Sequence, residues 1–330
     1  MSCYSPLCAI WSGTNEYTGK AKVKIIPRRS LSPEAVKGKD FFEVPCGHCI
    51  GCRLDYSREW ANRLMMELKY HDSAYFVTLT YDDIHVPKSY YTDKETGEKK
   101  VALTIRKRDF QLFMKRLRKA FPNDNLRYYA CFEYGSTTFR PHIHAIIFGL
   151  HLDDLRVYRR SKEGFIYYNS DRLNDIWSVP KSYPVDRLGF AVVADVTWET
   201  CAYTARYVTK KLSGYESDFY ASHGLEPPCS LMSRQPGIGN QYYLDNIQGM
   251  YNDRFVIRQG NEVKPPRYFS RLFEVDYPEE SAIIKEQKYI FSKHKEVLEL
   301  SKTDLLKTDY LISKEHAKEN QIKALRRNQL

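Results

Sequence analysis

The sequence contains no apolar run of the roughly 20 residues that a membrane-spanning helix needs. Its longest apolar stretches, such as residues 145–148, have the length of a strand. Residues 1–6 lack the basic stretch followed by an apolar stretch that marks a secretory signal. A Gly-rich Walker sequence is also missing, and no internal repeat is visible. We therefore expect a soluble protein of the cytoplasm, with no membrane partner and no nucleotide-driven motor of its own.

Positive charge is in modest excess over negative charge. The 330 residues include 51 Lys and Arg against 41 Asp and Glu, which gives a net charge of +10. Hydrophobic residues make up 42% and aromatic residues 14%, enough to bury a core, so a disordered chain is excluded. The positive excess favours anionic partners, nucleic acid first, and says nothing about the fold.

Five of the eight cysteines lie before residue 53. Without a secretion signal we expect reduced thiols rather than disulfides. Three of these residues follow metal-ligand spacing: Cys46, Cys49 and Cys52. Tetrahedral zinc takes four ligands, so Cys3 or Cys8 supplies the fourth, with His48 as a weaker alternative. An iron–sulfur cluster is a second possibility, but we favour structural zinc. The remaining cysteines are isolated and expected in the core: Cys131, Cys201 and Cys229.

The chain divides by pattern into three parts. Residues 1–52 predict a loop-rich, zinc-binding arm, residues 53–215 a folded domain, and residues 216–330 an extension that is helical from 279. The predicted helices cover residues 53–71, 104–121, 171–177 and 199–212, and the predicted strands 75–81, 126–134, 141–150 and 189–198. This order indicates an α+β fold with an antiparallel sheet and helices packed on one face.

The predicted helix 104–121 is strongly basic, with seven cations and one carboxylate, and Thr104 as its expected N-cap. A solvated helix face is the common reason for such a charge run. The single sign of the charge also indicates a surface that faces phosphates. The cations concerned are Arg106, Lys107, Arg108, Lys115, Arg116, Arg118 and Lys119.

A His-x-His pair lies in the predicted strand 141–150. Because side chains alternate along a strand, His142 and His144 share one face, while Ile143 and its alternate neighbours point to the other. Glu133, at the end of the preceding strand, reaches the same face unless the register slips by one residue. These three residues form a mixed N/O ligand set for a hard or borderline cation. The alternative is a pair of surface histidines beside a rim carboxylate.

Two tyrosines lie one turn apart on the predicted helix 199–212. Tyr203 and Tyr207 therefore share a face, and Lys210 and Lys211 follow one turn further on. A phenol with a pKa near 10 is a poor nucleophile, so it needs a cation or a metal beside it. The alternative is an aromatic stripe that packs on the sheet.

Together these segments resemble the HUH endonucleases, and closely so the replication initiators of small single-stranded DNA phages of the gokushovirus (microvirus) type. The motifs that carry the resemblance are Phe76-Val-Thr-Leu-Thr-Tyr81, His142-Ile-His144, the Tyr203/Tyr207 helix, Val44-Pro-Cys-Gly-His-Cys-Ile-Gly-Cys-Arg53 and Ser57-Arg-Glu-Trp60. The resemblance covers roughly residues 1 to 215 and implies an RRM-like or ferredoxin-like palm.

The resemblance also implies a mechanism. One tyrosine attacks a phosphodiester of single-stranded origin DNA and becomes linked to the 5′-phosphate, and the released 3′-OH primes rolling-circle synthesis. The second tyrosine then allows cleavage of the regenerated origin and rejoining. Mg²⁺ or Mn²⁺ would bind His142, His144 and Glu133, while Arg140 and Arg206 would add to the DNA contacts. The implied partners are the phage origin and a host helicase and polymerase in the bacterial cytoplasm.

Two other functions fit the same residues. A zinc-stabilised protein without catalytic activity would bind single-stranded nucleic acid and stack bases on Tyr128, Tyr129, Tyr203 and Tyr207. A related HUH transposase or plasmid initiator would share the chemistry, but the N-terminal cysteine segment favours the phage type.

Overall fold

A computed structural model describes residues 3–14, 16, 21–26, 41–135, 137–162, 164–180, 182–208, 218–252, 256–258 and 261–327. Within these ranges the chain combines helices with a seven-stranded antiparallel sheet, which confirms the predicted α+β class. None of the helices described is both long and apolar enough to cross a membrane.

The elements are numbered in chain order. The helices of the described ranges are α1 (Ile50–Leu68), α2 (Lys107–Ala120), α3 (Asp171–Ile176), α4 (Trp198–Val208), α5 (Asp218–Ser222), α6 (Asn240–Asn252), α7 (Arg267–Asp276), α8 (Pro278–Leu300) and α9 (Lys307–Arg327). The strands are β1 (Leu7–Thr14), β2 (Ala21–Ile26), β3 (Phe41–Val44), β4 (Ala74–Tyr81), β5 (Lys88–Thr92), β6 (Lys99–Leu103), β7 (Arg127–Tyr134), β8 (Pro141–Phe148), β9 (Arg156–Arg160), β10 (Ile166–Asn169), β11 (Gly189–Asp195), β12 (Cys229–Met232), β13 (Val256–Arg258) and β14 (Asn261–Val263).

The large sheet has the strand order β12-β7-β8-β4-β11-β10-β9. Strand β8 lies between β7 and β4, and the register pairs His142 with Glu133 on one side and with Thr80 on the other. His144 lies opposite Thr78 of β4. Residues that pair directly across antiparallel strands point to the same face, so the register directs Glu133 and Thr78 toward the histidine side.

Helices lie on both faces of this sheet rather than on one. On the first face, Ile143 and Ala145 of β8 join a core with Phe110 and Phe113 of α2. On the second face, Ile146 and Phe148 join a core with Leu64 of α1 and with α4. Each fully buried side chain of this size stabilises the fold by about 1.5–3 kcal/mol. The second face is apolar only toward the end of β8, so the half that carries the histidines is left for polar chemistry.

The N-terminal segment contains a three-stranded sheet with the order β2-β1-β3, where a loop-rich arm is expected from the sequence. Residues 21–26 alternate in polarity as a strand does and pair with β1. The other edge of β1 pairs with β3, which comes much later in the chain. Trp11 of β1 packs on Phe42 of β3, with ring centroids 4.7 Å apart. Such cross-strand pairing is long-range, so a local pattern does not reveal it.

Helix α2 begins later than predicted. Arg106, not Thr104, occupies its N-cap, and the hydroxyl of Thr104 instead accepts a hydrogen bond from the Glu226 N–H at 3.0 Å. A guanidinium has no acceptor atom, so Arg106 cannot cap the N–H groups of the first turn.

The chain forms two compact units. One contains residues 1–55 together with 274–330, and the other is continuous over 56–273. Within the first unit, Lys307 Nζ of α9 lies 2.7 Å from Glu43 Oε2 of β3. The Ile50 N–H donates to Glu315 Oε1 at 3.3 Å. The predicted division at residues 52 and 215 stays a prediction about folding domains.

Candidate active site

The histidine strand presents a buried hydrogen-bonded pair. His144 Nε2 lies 2.9 Å from Glu133 Oε1, and both side chains are more than nine-tenths buried. His142 lies two residues earlier on the same face, with its ring parallel to that of His144 and the two centroids 6.5 Å apart. The register therefore brings Glu133 to the histidine face, as the sequence predicts for the unslipped alignment.

The hydrogen bond of His142 sets its tautomer. Its Nδ1 lies 2.8 Å from the carbonyl oxygen of Arg140, which can only accept, so Nδ1 carries the proton and Nε2 keeps a lone pair. Burial lowers the pKa of His142 below its usual value, which keeps the imidazole neutral near pH 7. Gly135 makes room for this ring, because a Cβ there would lie 3.2 Å from His142 Cε1.

Two residues of β4 complete the surroundings of His144 and are missed as functional residues by sequence reasoning. Thr78 Oγ1 lies 3.0 Å from His144 Nδ1. The Phe76 ring stacks on the imidazole, with centroids 5.7 Å apart. In the sequence, the two residues are visible only as a phenylalanine and a threonine two positions apart in a predicted strand. The order of strands in the sheet is needed to show which histidine they contact.

Helix α4 brings Tyr203 to the histidine face. The helix starts with a reciprocal cap, in which the Thr200 N–H donates to Thr197 Oγ1 at 3.2 Å and the Thr197 N–H donates to Thr200 Oγ1 at 2.9 Å. Cys201, Ala202 and Ala205 are small and buried, which lets the helix lie close to the sheet.

Tyr203 is only partly covered by this packing. It keeps 43% of its surface exposed, so its ring is accessible from outside. Its ring meets that of His144 edge to face, with centroids 5.4 Å apart. The Ser57 hydroxyl of α1 donates to the Ala202 carbonyl at 2.7 Å and ties α4 to α1 next to the tyrosine.

The other members of the predicted tyrosine helix are described less completely. The backbone of Tyr207 continues α4 one turn after Tyr203, but its side chain and that of Arg206 lie outside the described residues. Lys210 and Lys211 lie outside them altogether.

The ligand set fits a hard or borderline cation in part. Neighbouring ligands of an octahedral ion with bonds of about 2.1 Å lie about 3 Å apart, which matches the separation of 2.9 Å between His144 Nε2 and Glu133 Oε1. With Nε2 as ligand, the Nδ1 proton of His144 would be donated to Thr78, a typical outer-shell bond. His142 lies farther away with its Nε2 lone pair, so its ring would have to move toward the pair.

The predicted DNA-contacting cations of helix α2 do not lie around this site. Helix α2 packs on the sheet face opposite to the histidines, and Arg116 of that helix donates through Nε to the Ile176 carbonyl at 2.8 Å. Lys107 pairs with Glu226 at 2.9 Å. The exposed cations of the helix and its N-cap are Arg106, Arg108, Lys115, Arg118 and Lys119.

Arg140 is the predicted cation closest in sequence to the histidines. Its Nη2 donates to the Tyr81 carbonyl at 2.8 Å, and its Nη1 lies 2.5 Å from Asp83 Oδ1. Its position therefore depends on the end of β4. Contact of these cations with DNA stays a prediction.

One candidate for base stacking is wrong. Tyr129 is fully buried, and its ring packs against Trp60 with centroids 4.5 Å apart. It lies on the covered part of the second sheet face, where no base can reach it. Tyr128 is half-buried and packs edge to face on Phe110.

Four cysteines form a second candidate metal centre in the N-terminal sheet unit. Among the described residues, the set whose ligand atoms all lie within 4.8 Å of one another consists of Cys3, Cys46, Cys49 and Cys52. Tetrahedral zinc with bonds of about 2.3 Å separates its sulfurs by about 3.8 Å. The Sγ atom of Cys3 lies 3.7 Å from that of Cys46 and 3.9 Å from that of Cys49.

Backbone N–H groups point at these sulfurs, as they do where thiolates are stabilised. The Cys49 N–H donates to Cys46 Sγ at 3.3 Å, and the Tyr4 N–H donates to Cys49 Sγ at the same distance. Cys3 rather than Cys8 joins the group, and His48 contributes only its backbone N–H, to Cys46 Sγ at 3.4 Å. Cys131 and Cys201 are buried in the core, and Cys229 packs against it, as predicted.

Comparison with known proteins gives one family model and several relatives that share the same description. A family model for replication-associated proteins of the ORF2 type matches residues 74–212, which include β4, β8 and α4. The chain is 31% identical over 294 residues to replication-associated protein ORF2 of Spiroplasma virus 4, covering 86% of this chain and 85% of that protein. It is 28% identical over 287 residues to replication-associated protein VP4 of Bdellovibrio phage phiMH2K, covering 84% and 79%. No solved structure matches the chain significantly.

Proposed function

Because the chain belongs to the ORF2 family of replication-associated proteins, we propose that it initiates phage DNA replication by cutting single-stranded DNA at an origin. One observation carries the proposal. The exposed ring of Tyr203 lies 5.4 Å, centroid to centroid, from His144, which is bonded to the carboxylate of Glu133. A nucleophile, an imidazole and a carboxylate thus meet on one sheet face.

In the proposed reaction, Tyr203 Oη attacks the phosphorus of a phosphodiester. A bond forms between Oη and phosphorus, and the bond from phosphorus to the 3′-oxygen breaks. The phenol proton leaves to water, and the departing 3′-oxygen takes up a proton and becomes the 3′-OH primer. The 5′-phosphate stays linked to the tyrosine, which preserves the energy of the diester for later rejoining.

The residues that would hold Mg²⁺ or Mn²⁺ are Glu133, His142 and His144. A bound divalent ion supplies charge stabilisation at the phosphate oxygens and orients the scissile group. Thr78 orients the ring of His144 through Nδ1, and the Arg140 carbonyl fixes the tautomer of His142. The Phe76 ring covers one side of the His144 imidazole and excludes water from that side.

Rejoining is proposed to reverse the same chemistry. A 3′-OH attacks the phosphotyrosine, the diester forms again, and the tyrosine oxygen leaves with a proton. Tyr207, one helical turn after Tyr203, is proposed as the second nucleophile, and Lys210 and Lys211 as cations for the phosphate. Since the sequence has no Walker motif, strand separation and synthesis are assigned to a helicase and a polymerase of the host cell.

The four cysteines are proposed to hold a structural zinc ion. The Cys3 sulfur lies 3.7 Å from that of Cys46 and 3.9 Å from that of Cys49, close to the separation in tetrahedral zinc sites. All four ligand atoms lie within 4.8 Å of one another, and backbone N–H groups point at the sulfurs of Cys46 and Cys49. Because β1, β3 and α1 all lead into this cluster, the ion would connect the N-terminal sheet to the first helix.

Covalent trapping tests the proposed chemistry. We would incubate the protein with tiled 3′-labelled oligonucleotides of the viral strand in Mn²⁺ and separate the products under denaturing conditions. A labelled protein adduct is expected, together with a shortened 5′ fragment, and both should disappear in EDTA and in the Tyr203→Phe/Tyr207→Phe double variant. Oligonucleotide binding without adduct or cut product would instead establish a binding protein without catalysis.

A further inference from the structure

A cavity of about 470 Å³ lies on the α2 side of the large sheet, the side opposite to the histidines. Its walls come from the segment after β4, from β5, from the first half of α2 and from residues 178–180 after α3. The volume falls within the range of roughly 300–1,000 Å³ that is usual for small-ligand sites. The reaction proposed above does not use this cavity.

The cavity is lined by more positive than negative charge. Lys88, Arg106 and Arg116 contribute cations, and Asp109 is the one carboxylate that lines it in the described part of the chain. Asp109 accepts a hydrogen bond from the Tyr81 hydroxyl at 3.0 Å, and burial raises the pKa of its carboxyl above the usual value. Three Lys and Arg side chains thus face one carboxylate, and this lining favours an anionic ligand.

Arg116 is anchored at the cavity wall by one hydrogen bond and has a further donor group that is not used in the described ranges. Its Nε donates to the Ile176 carbonyl at 2.8 Å, which anchors the guanidinium. Its Nη2 is buried and has no hydrogen-bond partner among the residues that the structure describes. A buried donor without an acceptor costs about 1–3 kcal/mol, so an anionic oxygen that reached this group would stabilise the site.

The start of α2 adds to the same preference. Arg106 occupies the N-cap of this 14-residue helix, and a guanidinium cannot accept hydrogen bonds from the first turn. The N–H groups of that turn and the positive end of the helix dipole favour an anion there.

An aromatic ring stands at the same wall. Tyr90 lines the cavity with 76% of its surface exposed, and it lies two residues after Lys88, on the same face of β5. A cation and an open aromatic ring side by side are suited to a nucleotide, whose phosphate needs the charge and whose base needs a surface to stack on.

We propose that this cavity binds one nucleotide, with the phosphate on Lys88, Arg106 and Arg116 and the base against Tyr90. The nucleotide is either free in solution or part of a single strand, and the phosphate and base are recognised in the same way in both cases. Binding here goes beyond the proposed strand cleavage, because it requires neither a metal nor Tyr203.

Calorimetric titration in EDTA tests the site without the cleavage chemistry. The probes are thymidine 5′-monophosphate, thymidine, and a short oligothymidylate. We expect saturable binding of the monophosphate and none of thymidine. The Lys88→Gln/Arg106→Gln double variant should weaken monophosphate binding at least about tenfold.

The matched control is Lys94→Gln. Lys94 is exposed in the turn of the same β5–β6 hairpin but does not line the cavity, so its removal should leave the affinity unchanged. Tyr90→Ala should also weaken binding, whereas Tyr183→Ala, which removes a fully exposed ring elsewhere, should not. Circular dichroism of each variant verifies that it is folded.

The oligothymidylate distinguishes the two sources of the nucleotide. Tighter binding than the monophosphate, lost in the same variants, supports a nucleotide within a strand, and equal affinity supports a free nucleotide. The proposal is overturned if neither the monophosphate nor the oligothymidylate binds, or if the cavity variants behave like Lys94→Gln. It is also overturned if inorganic phosphate, titrated as a further probe, binds as tightly as the monophosphate and Tyr90→Ala changes nothing. None of these outcomes depends on whether the covalent adduct forms.

Discussion

Thr78 Oγ1 lies 3.0 Å from His144 Nδ1, on the side of the ring away from Glu133. The imidazole is thus held at both nitrogens, by a hydroxyl of β4 and by a carboxylate of β7. A ring fixed in this way offers its Nε2 in one orientation, as ligand histidines supported by a second residue do.

Replacing Thr78 with valine should weaken divalent-ion use without unfolding the protein. Valine keeps the shape but removes the hydroxyl that orients His144, and loss of such a partner typically weakens metal affinity about 10- to 100-fold. The measurement is the Mn²⁺ concentration that gives half-maximal adduct. Thr80→Val is the control, because Thr80 Oγ1 bonds to the Phe190 carbonyl at 3.1 Å instead of to a histidine. Equal Mn²⁺ dependence of both variants would contradict the role given to Thr78.

Gly135→Ala should displace His142. The added Cβ would lie 3.2 Å from His142 Cε1, closer than ordinary contact, so the ring must shift by a few tenths of an ångström. We expect slower adduct formation at nearly unchanged melting temperature. Gly249→Ala is the matched control. It lies within α6 with open space around the new Cβ and should stabilise the helix by about 0.5–1 kcal/mol without slowing the reaction. Equal rates for the two variants would show that the position of His142 does not matter.

Stability should depend on pH through His85. Its Nδ1 lies 2.9 Å from Asp82 Oδ2 and its Nε2 lies 3.0 Å from Asp186 Oδ2, and these hydrogen bonds, first that of Asp82, raise the pKa of His85. A raised histidine pKa stabilises the fold fully below about pH 6.5, and this contribution is lost as the pH rises through the folded value. Asp186→Asn should therefore lower the melting temperature more at about pH 5.5 than at about pH 9.

The control for this pH effect is Asp175→Asn. Asp175 pairs with Arg187 at 2.7 Å, and arginine keeps its charge over this range, so its loss should have similar effects at both pH values. Each exposed pair contributes at most about 1 kcal/mol. If Asp186→Asn lowers the melting temperature equally at both pH values, the charge of His85 is not the cause.

The identity of the fourth cysteine can be measured directly. Cys3→Ser should lose bound zinc, since Cys3 Sγ lies 3.7 Å from Cys46 Sγ within the cluster. Cys8→Ser should retain it, because Cys8 is buried in β1 but does not belong to the group. Metal content by mass spectrometry of both purified variants is the readout. Zinc retained in Cys3→Ser, or lost in Cys8→Ser alone, would contradict the assignment.

Much of the site could be predicted because its signals are local. The alternation of β8 placed His142 and His144 on one face and Ile143 on the other, and the cysteine spacing pointed to a metal. Whether Cys3 or Cys8 joins the cluster could not be predicted from the local sequence. It depends on the path by which the N-terminal segment comes back to Cys46. The contact between Thr78 and His144 likewise depends on which strand lies beside β8.

The charge pattern gave the least information about where the basic helix α2 lies relative to the histidines. The cations of α2 were visible in the sequence, but the apolar side of the helix decides which sheet face it covers. Phe110 and Phe113 pack against Ile143, so the helix lies opposite to the histidines. The sheet β2-β1-β3 was missed for a related reason, since β1 also pairs with β3, which lies outside any short sequence window around β1.

The discontinuous unit has a consequence for synthesis. Residues 56–273 are contiguous and can fold as they leave the ribosome, but the unit formed by 1–55 and 274–330 must wait for its second half. The cysteines of the first half emerge before residues 56–273, whereas Lys307 and Glu315, the partners of Glu43 and of the Ile50 N–H, emerge after them. The thiols of a nascent chain therefore wait for the synthesis of the whole second unit before the helices that complete their own unit arrive.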